Sequence, residues 1–107
     1  MLEQVQAAVR EAQEAAARAT QAFLQTHGDR DACGFAWVTV YEKGSTKIGR
    51  ALLKNGFRKA YGGGLELWNP SGNPTQCISA KEEGAFAAAK VLTERLGVKA
   101  YAGSRLD

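Results

Sequence analysis

Leu2, Val5, Val9, Ala12, Ala16, Ala19 and Phe23 recur at alternating steps of three and four, the spacing that lays one apolar stripe along a helix from residue 2 to about 26. His27 and Gly28 end the pattern, and glycine readily takes the left-handed conformation of a helix terminus. A helix of that length is about 37 Å long, longer than the expected width of the remaining domain, so part of it is expected to project. Its seam is rich in alanine, and small seam residues let a second helix or a sheet approach closely. Two occupants are open to that seam: the chain's own domain, or the same helix of a second copy in a homodimer.

Beyond the polar loop at Asp29, Arg30 and Asp31 the period changes to two. Phe35, Trp37, Thr39 and Tyr41 fall on one side of a predicted strand and Ala36, Val38 and Val40 on the other. Both sides carry bulk, which suits a central strand. Ser45 or Thr46 then caps a short helix that Asn55-Gly56 stops, with Ile48, Ala51 and Leu52 turned to the core. Residues 57 to 61 and 65 to 69 read as two strands joined by Gly62, Gly63 and Gly64, and residues 75 to 78 as a further short strand paired back on the second of these. Ser79 and Glu82 stand at capping-box spacing and open a helix to about Leu96, with Ala85, Phe86, Ala89, Val91 and Leu92 facing inward and Gly97 closing it. Val98 to Ala102 is the last predicted strand, followed by a polar tail from Gly103 to Asp107.

After the leading helix the order is strand, helix, strand, strand, helix, strand. This predicts an α+β, ferredoxin-like split β-α-β sandwich, an antiparallel sheet with helices on one face and an added N-terminal helix. The domain organisation expected is residues 1–28 as that helix, packed on the domain or mediating self-association, and residues 29–107 as one α+β domain. Helices on one face leave the other face of the sheet to be covered by the first helix or left open, and an open aromatic face is a ligand platform.

Composition narrows the class. At 107 residues and 45% hydrophobic, the chain is the size of one domain able to bury a core without metal or disulfide staples. Cys33 and Cys77 are in no metal-ligand spacing and read as free thiols of a reducing cytoplasm. No apolar run reaches the roughly 20 residues of a membrane span, and no signal-peptide core is present, so a cytoplasmic protein with no membrane partner is expected.

Charge changes the picture more. Lys43, Lys47, Arg50, Lys54, Arg58 and Lys59 bring six positive charges into the stretch 43–59 with no acid among them, whereas the formal net charge of the whole chain is +3. The basic character is therefore local, and a local field attracts an anionic partner. Lys47, Arg50 and Lys54 lie at helical spacing, one stripe on the short helix. Phosphates pair with Lys and Arg, and bases stack on aromatic rings, of which Trp37, Tyr41, Phe57, Tyr61 and Trp68 are the nearest. Candidate nucleic-acid or anion-binding residues are Lys43, Lys47, Arg50, Lys54, Arg58, Lys59, Tyr61 and Trp68. A solvated helix face and a packed core are the competing explanations of the same charges and rings.

Gly34–Val40 partly resembles the RNP1 signature of RNA-recognition motifs, but Cys33 stands where a basic residue belongs and Val40 where an aromatic belongs. Catalytic signatures are weaker still. His27 is the one histidine and sits at a helix end, no carboxylate pair is required to be close, and Gly62 to Gly64 match no phosphate-loop fingerprint. A non-enzymatic module with no cofactor is expected.

The segments from Asp31 to Val38, from Gly56 to Gly64 and from Leu65 to Ser71, with the closing Ser104 to Asp107, resemble small uncharacterised proteins of tailed bacteriophages, including those infecting cyanobacteria. The resemblance implies an infected bacterial cytoplasm and a host-directed accessory role. Two functions are consistent with these features: binding DNA or RNA through the basic helix stripe, or binding and inhibiting a host protein through that patch or the N-terminal helix.

Overall fold

A computed structural model describes residues 2–107. The helices are α1 (Leu2–His27), α2 (Lys47–Lys54) and α3 (Ile78–Leu96), and the strands β1 (Gly34–Val40), β2 (Arg58–Lys59), β3 (Leu65–Trp68) and β4 (Ala100–Leu106). The chain is α+β, with one four-stranded antiparallel sheet in the order β2-β3-β1-β4.

Alternation decides what each sheet face does. Ala36, Val38 and Val40 of β1, Leu65 and Leu67 of β3 and Ala100 of β4 are buried, and α3 lies across β1 and β4 on that side while α2 covers β3. Long α1 packs on α3 and α2 in this helical layer. Its buried residues are Val5, Ala8, Val9, Ala12, Ala16 and Thr20, so the expected stripe shifts: Leu2 is exposed, and Ala8 and Thr20 join the seam. The seam is close because α3 presents Gly84, where a Cβ would stand 2.5 Å from the Thr20 hydroxyl. Thr20 donates to the Ala80 carbonyl at 2.7 Å, and Arg95 grips Glu11 with two bonds of 2.9 Å at the other end of the antiparallel pair. Glu11 holds the Arg95 guanidinium more firmly protonated than usual, by these hydrogen bonds first and by its charge second. Thr20→Val, which keeps the shape and deletes a buried donor, is expected to cost about 1 kcal/mol in urea unfolding.

Several boundaries differ from the sequence expectation. Phe57 is a buried core residue and β2 is only Arg58–Lys59. Residues 75–77 form no strand on β3; Cys77 makes a single antiparallel bridge to Cys33 instead. The capping box does not form. Helix α3 starts at Ile78 with Cys77 as its cap and no side-chain bond, because the Ser79 hydroxyl donates to Asp31 in the loop after α1. That bond and the Ala32 N–H, in that order, hold the Asp31 carboxyl below the usual carboxylate range. Phe86 faces outward. The predicted polar tail is strand: β4 runs from Ala100 to Leu106 because β1 offers a partner at every position from Val40 to Gly34. Among the described residues no helix is long and apolar enough to cross a membrane.

Candidate nucleic-acid interface

The sheet face away from the helices is open, and its side chains form a lattice set by strand register. Trp37 stands at the centre, opposite Trp68 of β3 and opposite Gly103 of β4. One step along β1, Thr39 lies between Glu66 and Tyr101, with Arg58 beyond Glu66 on β2. One step the other way, Phe35 lies opposite Arg105.

Gly103 is what lets the central ring lie down. A Cβ there would sit 2.6 Å from Cε2 and Nε1 of Trp37, so the indole rests against β4 where a side chain would otherwise stand. Trp37 and Trp68 stack with centroids 4.9 Å apart and planes 30° from parallel, and Phe35 meets Trp68 edge-on at 6.0 Å. Such aromatic contacts add about 0.5–1.5 kcal/mol beyond buried area. Cations rim the cluster: the Arg58 guanidinium is 5.1 Å from the Trp68 ring, and Lys81 and Arg105 lie 5.5 and 5.4 Å from Phe35.

Glu66 organises the β3 side. One oxygen accepts from Trp68 Nε1 at 2.6 Å and from Arg58 Nε at 3.3 Å, fixing the indole and the guanidinium together. With Arg58 largely exposed and Glu66 partly buried beside Trp68, the Arg58–Glu66 pair acts as a positioning device more than a source of stability. Lys81 is anchored by a 2.9 Å bond to the Gly34 carbonyl.

The face continues past the tryptophans. Tyr41 and Tyr101, both exposed, stand 5.8 Å apart, and Tyr61 is fully exposed in the β2–β3 connection. A groove of about 310 Å³ runs between Trp37, Trp68, Tyr41 and Tyr61. It shares Tyr41, Ala60 and Gly63 with a hollow of about 400 Å³ in which Lys43 and Lys59 sit. Gly64 makes this junction, with φ +78° and room for no Cβ, since one would be 2.8 Å from the Val40 carbonyl. The connection therefore folds tightly against the end of β1.

The eight residues expected from the sequence thus separate. Arg58 and Trp68 belong to the open face, with Tyr61 at its margin, whereas Lys59, opposite buried Leu65, falls on the helix side of β2 and shares with Lys43 the hollow at the end of the sheet. Lys47, Arg50 and Lys54 lie on α2, in the helical layer, around a shallow hollow shared with Leu2 and Ala51. There Arg50 donates to the Ser45 carbonyl at 2.7 Å. Phe35, Trp37, Lys81, Tyr101 and Arg105 were not among the eight. The period-two placement of Phe35, Trp37, Thr39 and Tyr41 was the available signal for the first two, whereas Arg105 reaches the face only because the tail is strand. His27 lies 4.6 Å from Phe23 of its own helix, the two rings tilted by 37°, and is remote from this face. Among the described residues no group of three or more His, Cys, Asp or Glu is placed to hold a metal. No protein-family model, curated protein or solved structure matches the chain, which leaves the geometry of the open aromatic face as the ground for a functional reading.

Proposed function

We propose that the protein is a single-stranded nucleic-acid-binding module whose bases stack on the open sheet face. The observation that carries this reading is the juxtaposition of Phe35, Trp37 and Trp68 on the two central strands, uncovered and rimmed by Arg58, Lys81 and Arg105. Aromatic rings accept the face of any base, and guanidinium and ammonium groups beside them pair with the phosphates between bases. A duplex hides those faces inside its own stack, so the platform favours an unpaired strand. The groove past Tyr41 to Lys43 and Lys59 supplies a path for the backbone.

The antiparallel order β2-β3-β1-β4, with α2 and α3 as crossings on one face, supports reading the core as a ferredoxin-like split β-α-β sandwich. RNA-recognition motifs also stack bases on a four-stranded sheet, so the mode of binding is physically attested without the RNP1 sequence being met. A cytoplasmic, host-directed role in a phage-infected cell fits such a module. The second reading is a protein-interaction factor, favoured by the same half-buried Trp and exposed Tyr and Arg side chains, the residue types that dominate binding hot spots.

Fluorescence anisotropy with labelled single-stranded DNA, single-stranded RNA and duplex across a salt series separates the two. Single strands are expected to bind in preference to duplex, with affinity falling as salt rises. The variant Lys47→Glu, Arg50→Glu, Lys54→Glu is expected to stay within about threefold of the parent at physiological salt, because its charges lie off the face and are screened. Duplex binding lost in that variant would move the site to α2. No binding of any nucleic acid at low salt would overturn the proposal in favour of a protein partner.

A further inference from the structure

We infer that Cys33 and Cys77 are an intramolecular disulfide site, closed by exchange with a low-molecular-weight disulfide and reopened by thiols. The two residues are direct partners in an isolated antiparallel bridge. The hydrogen bonds around them, Gly34 N–H to the Gln76 carbonyl at 3.0 Å and Ile78 N–H to the Ala32 carbonyl at 2.9 Å, leave the cysteines themselves unbonded to each other. This is the close class of antiparallel pair, with α-carbons about 4.5 Å apart and side chains on the same side of the ladder, inside the roughly 4.4–6.8 Å span of disulfides. Both thiols are free, and no other cysteine competes with them.

Their exposures assign the order of events. Cys33 is open to solvent, at a hollow of about 300 Å³ that it lines with Phe35, Asn73, Gln76 and Lys81, whereas Cys77 is buried. The Cys33 thiolate attacks the small disulfide, forming a mixed disulfide and expelling one small thiolate. The Cys77 thiolate then attacks the Cys33 sulfur, closing the protein disulfide and expelling the second. The two protein thiols are oxidised, the small disulfide is reduced to two thiols, and the two protons go to those thiols. In the thiol state Cys33 Sγ contacts the Gln76 side-chain oxygen at 3.3 Å, a weak bond that closure gives up.

The bond would tie the start of β1, two residues before Phe35, to the cap of α3. It would thereby pin the end of the sheet where Phe35, Lys81 and Arg105 meet. This inference stands apart from nucleic-acid binding, and its test needs no nucleic acid.

The folded protein is incubated in buffers of increasing oxidised-to-reduced glutathione ratio, quenched with acid, unfolded, labelled with a maleimide and weighed. Expected is a monomer lighter by two hydrogens, with labelled thiols falling from two to none and restored by dithiothreitol. Cys77→Ser should instead accumulate a glutathione adduct on Cys33. Cys33→Ser, at an exposed position where folding is not at stake, should keep its single thiol unmodified for as long as the wild type takes to close. A wild-type product carrying glutathione on Cys33 with Cys77 still free would overturn the inference. So would disulfide found only in covalent dimers, or a Cys33→Ser variant modified as fast as the parent.

Discussion

Trp37→Ala is expected to weaken binding of a single-stranded oligonucleotide by about 5- to 150-fold, the ~1–3 kcal/mol that a stacked base loses when its aromatic partner is truncated. Trp37 is the residue for the largest binding effect because it is central in both directions, touching Trp68 across β3 and lying on Gly103 of β4. Its removal deletes one stacking surface and releases the indole of Trp68 from another. The fold should survive, since Trp37 projects from the open face and the core is formed by Ala36, Val38 and Val40 on the other side. Circular dichroism should therefore be unchanged while anisotropy falls. Trp37→Phe keeps a ring and is expected to restore most of the affinity. Phe86→Ala removes an exposed ring from α3 and should leave binding at the parental level. Equal binding by Trp37→Ala and the parent would sink the stacking proposal.

Gly49→Ala is expected to be the most destabilising single methyl in the chain, by about 3 kcal/mol or more in urea unfolding, at the upper end for overpacking. Within a helix the same exchange ordinarily stabilises by about 1 kcal/mol. Here a Cβ would lie 1.8 Å from the Lys43 carbonyl oxygen and 2.8 Å from its carbon. Both are backbone atoms, so no rotamer change relieves the clash. The same carbonyl accepts the Thr46 hydroxyl at 2.9 Å, and Thr46 in turn caps α2 by accepting from Gly49 N–H at 3.0 Å. Moving α2 away therefore breaks the cap as well, and withdraws Ala51 and Leu52 from the core. A loss below about 1 kcal/mol would mean that the Lys43–Gly49 turn is looser than its geometry says.

The local signals in the chain were strong where one residue type acts on its own neighbourhood. The three-four spacing of Val5, Val9, Ala12 and Ala16 specifies α1, the Thr46 hydroxyl starts α2, and Gly97, in the left-handed conformation with φ +67°, ends α3. They failed where a distant partner outbid the local one. Ser79 had a capping box within reach and turned to Asp31, and the polar segment Gly103–Leu106 became strand because β1 had an unpaired edge to fill.

The site followed the same division. Arg58 and Trp68 were legible from residue type alone, and so were the cations of α2, but nothing in one-dimensional spacing says that the first two share a surface and the others do not. Period two in β1 determined that Phe35 and Trp37 lie on one face and Val38 and Val40 on the other. Which of those faces meets water was decided only in three dimensions, by α2 and α3 both crossing on the side of the aliphatic residues and by α1 packing on them instead of on the bare sheet. The physical reason is that alternation and periodicity arise from bonds between near neighbours, whereas exposure is a property of what the rest of the chain covers.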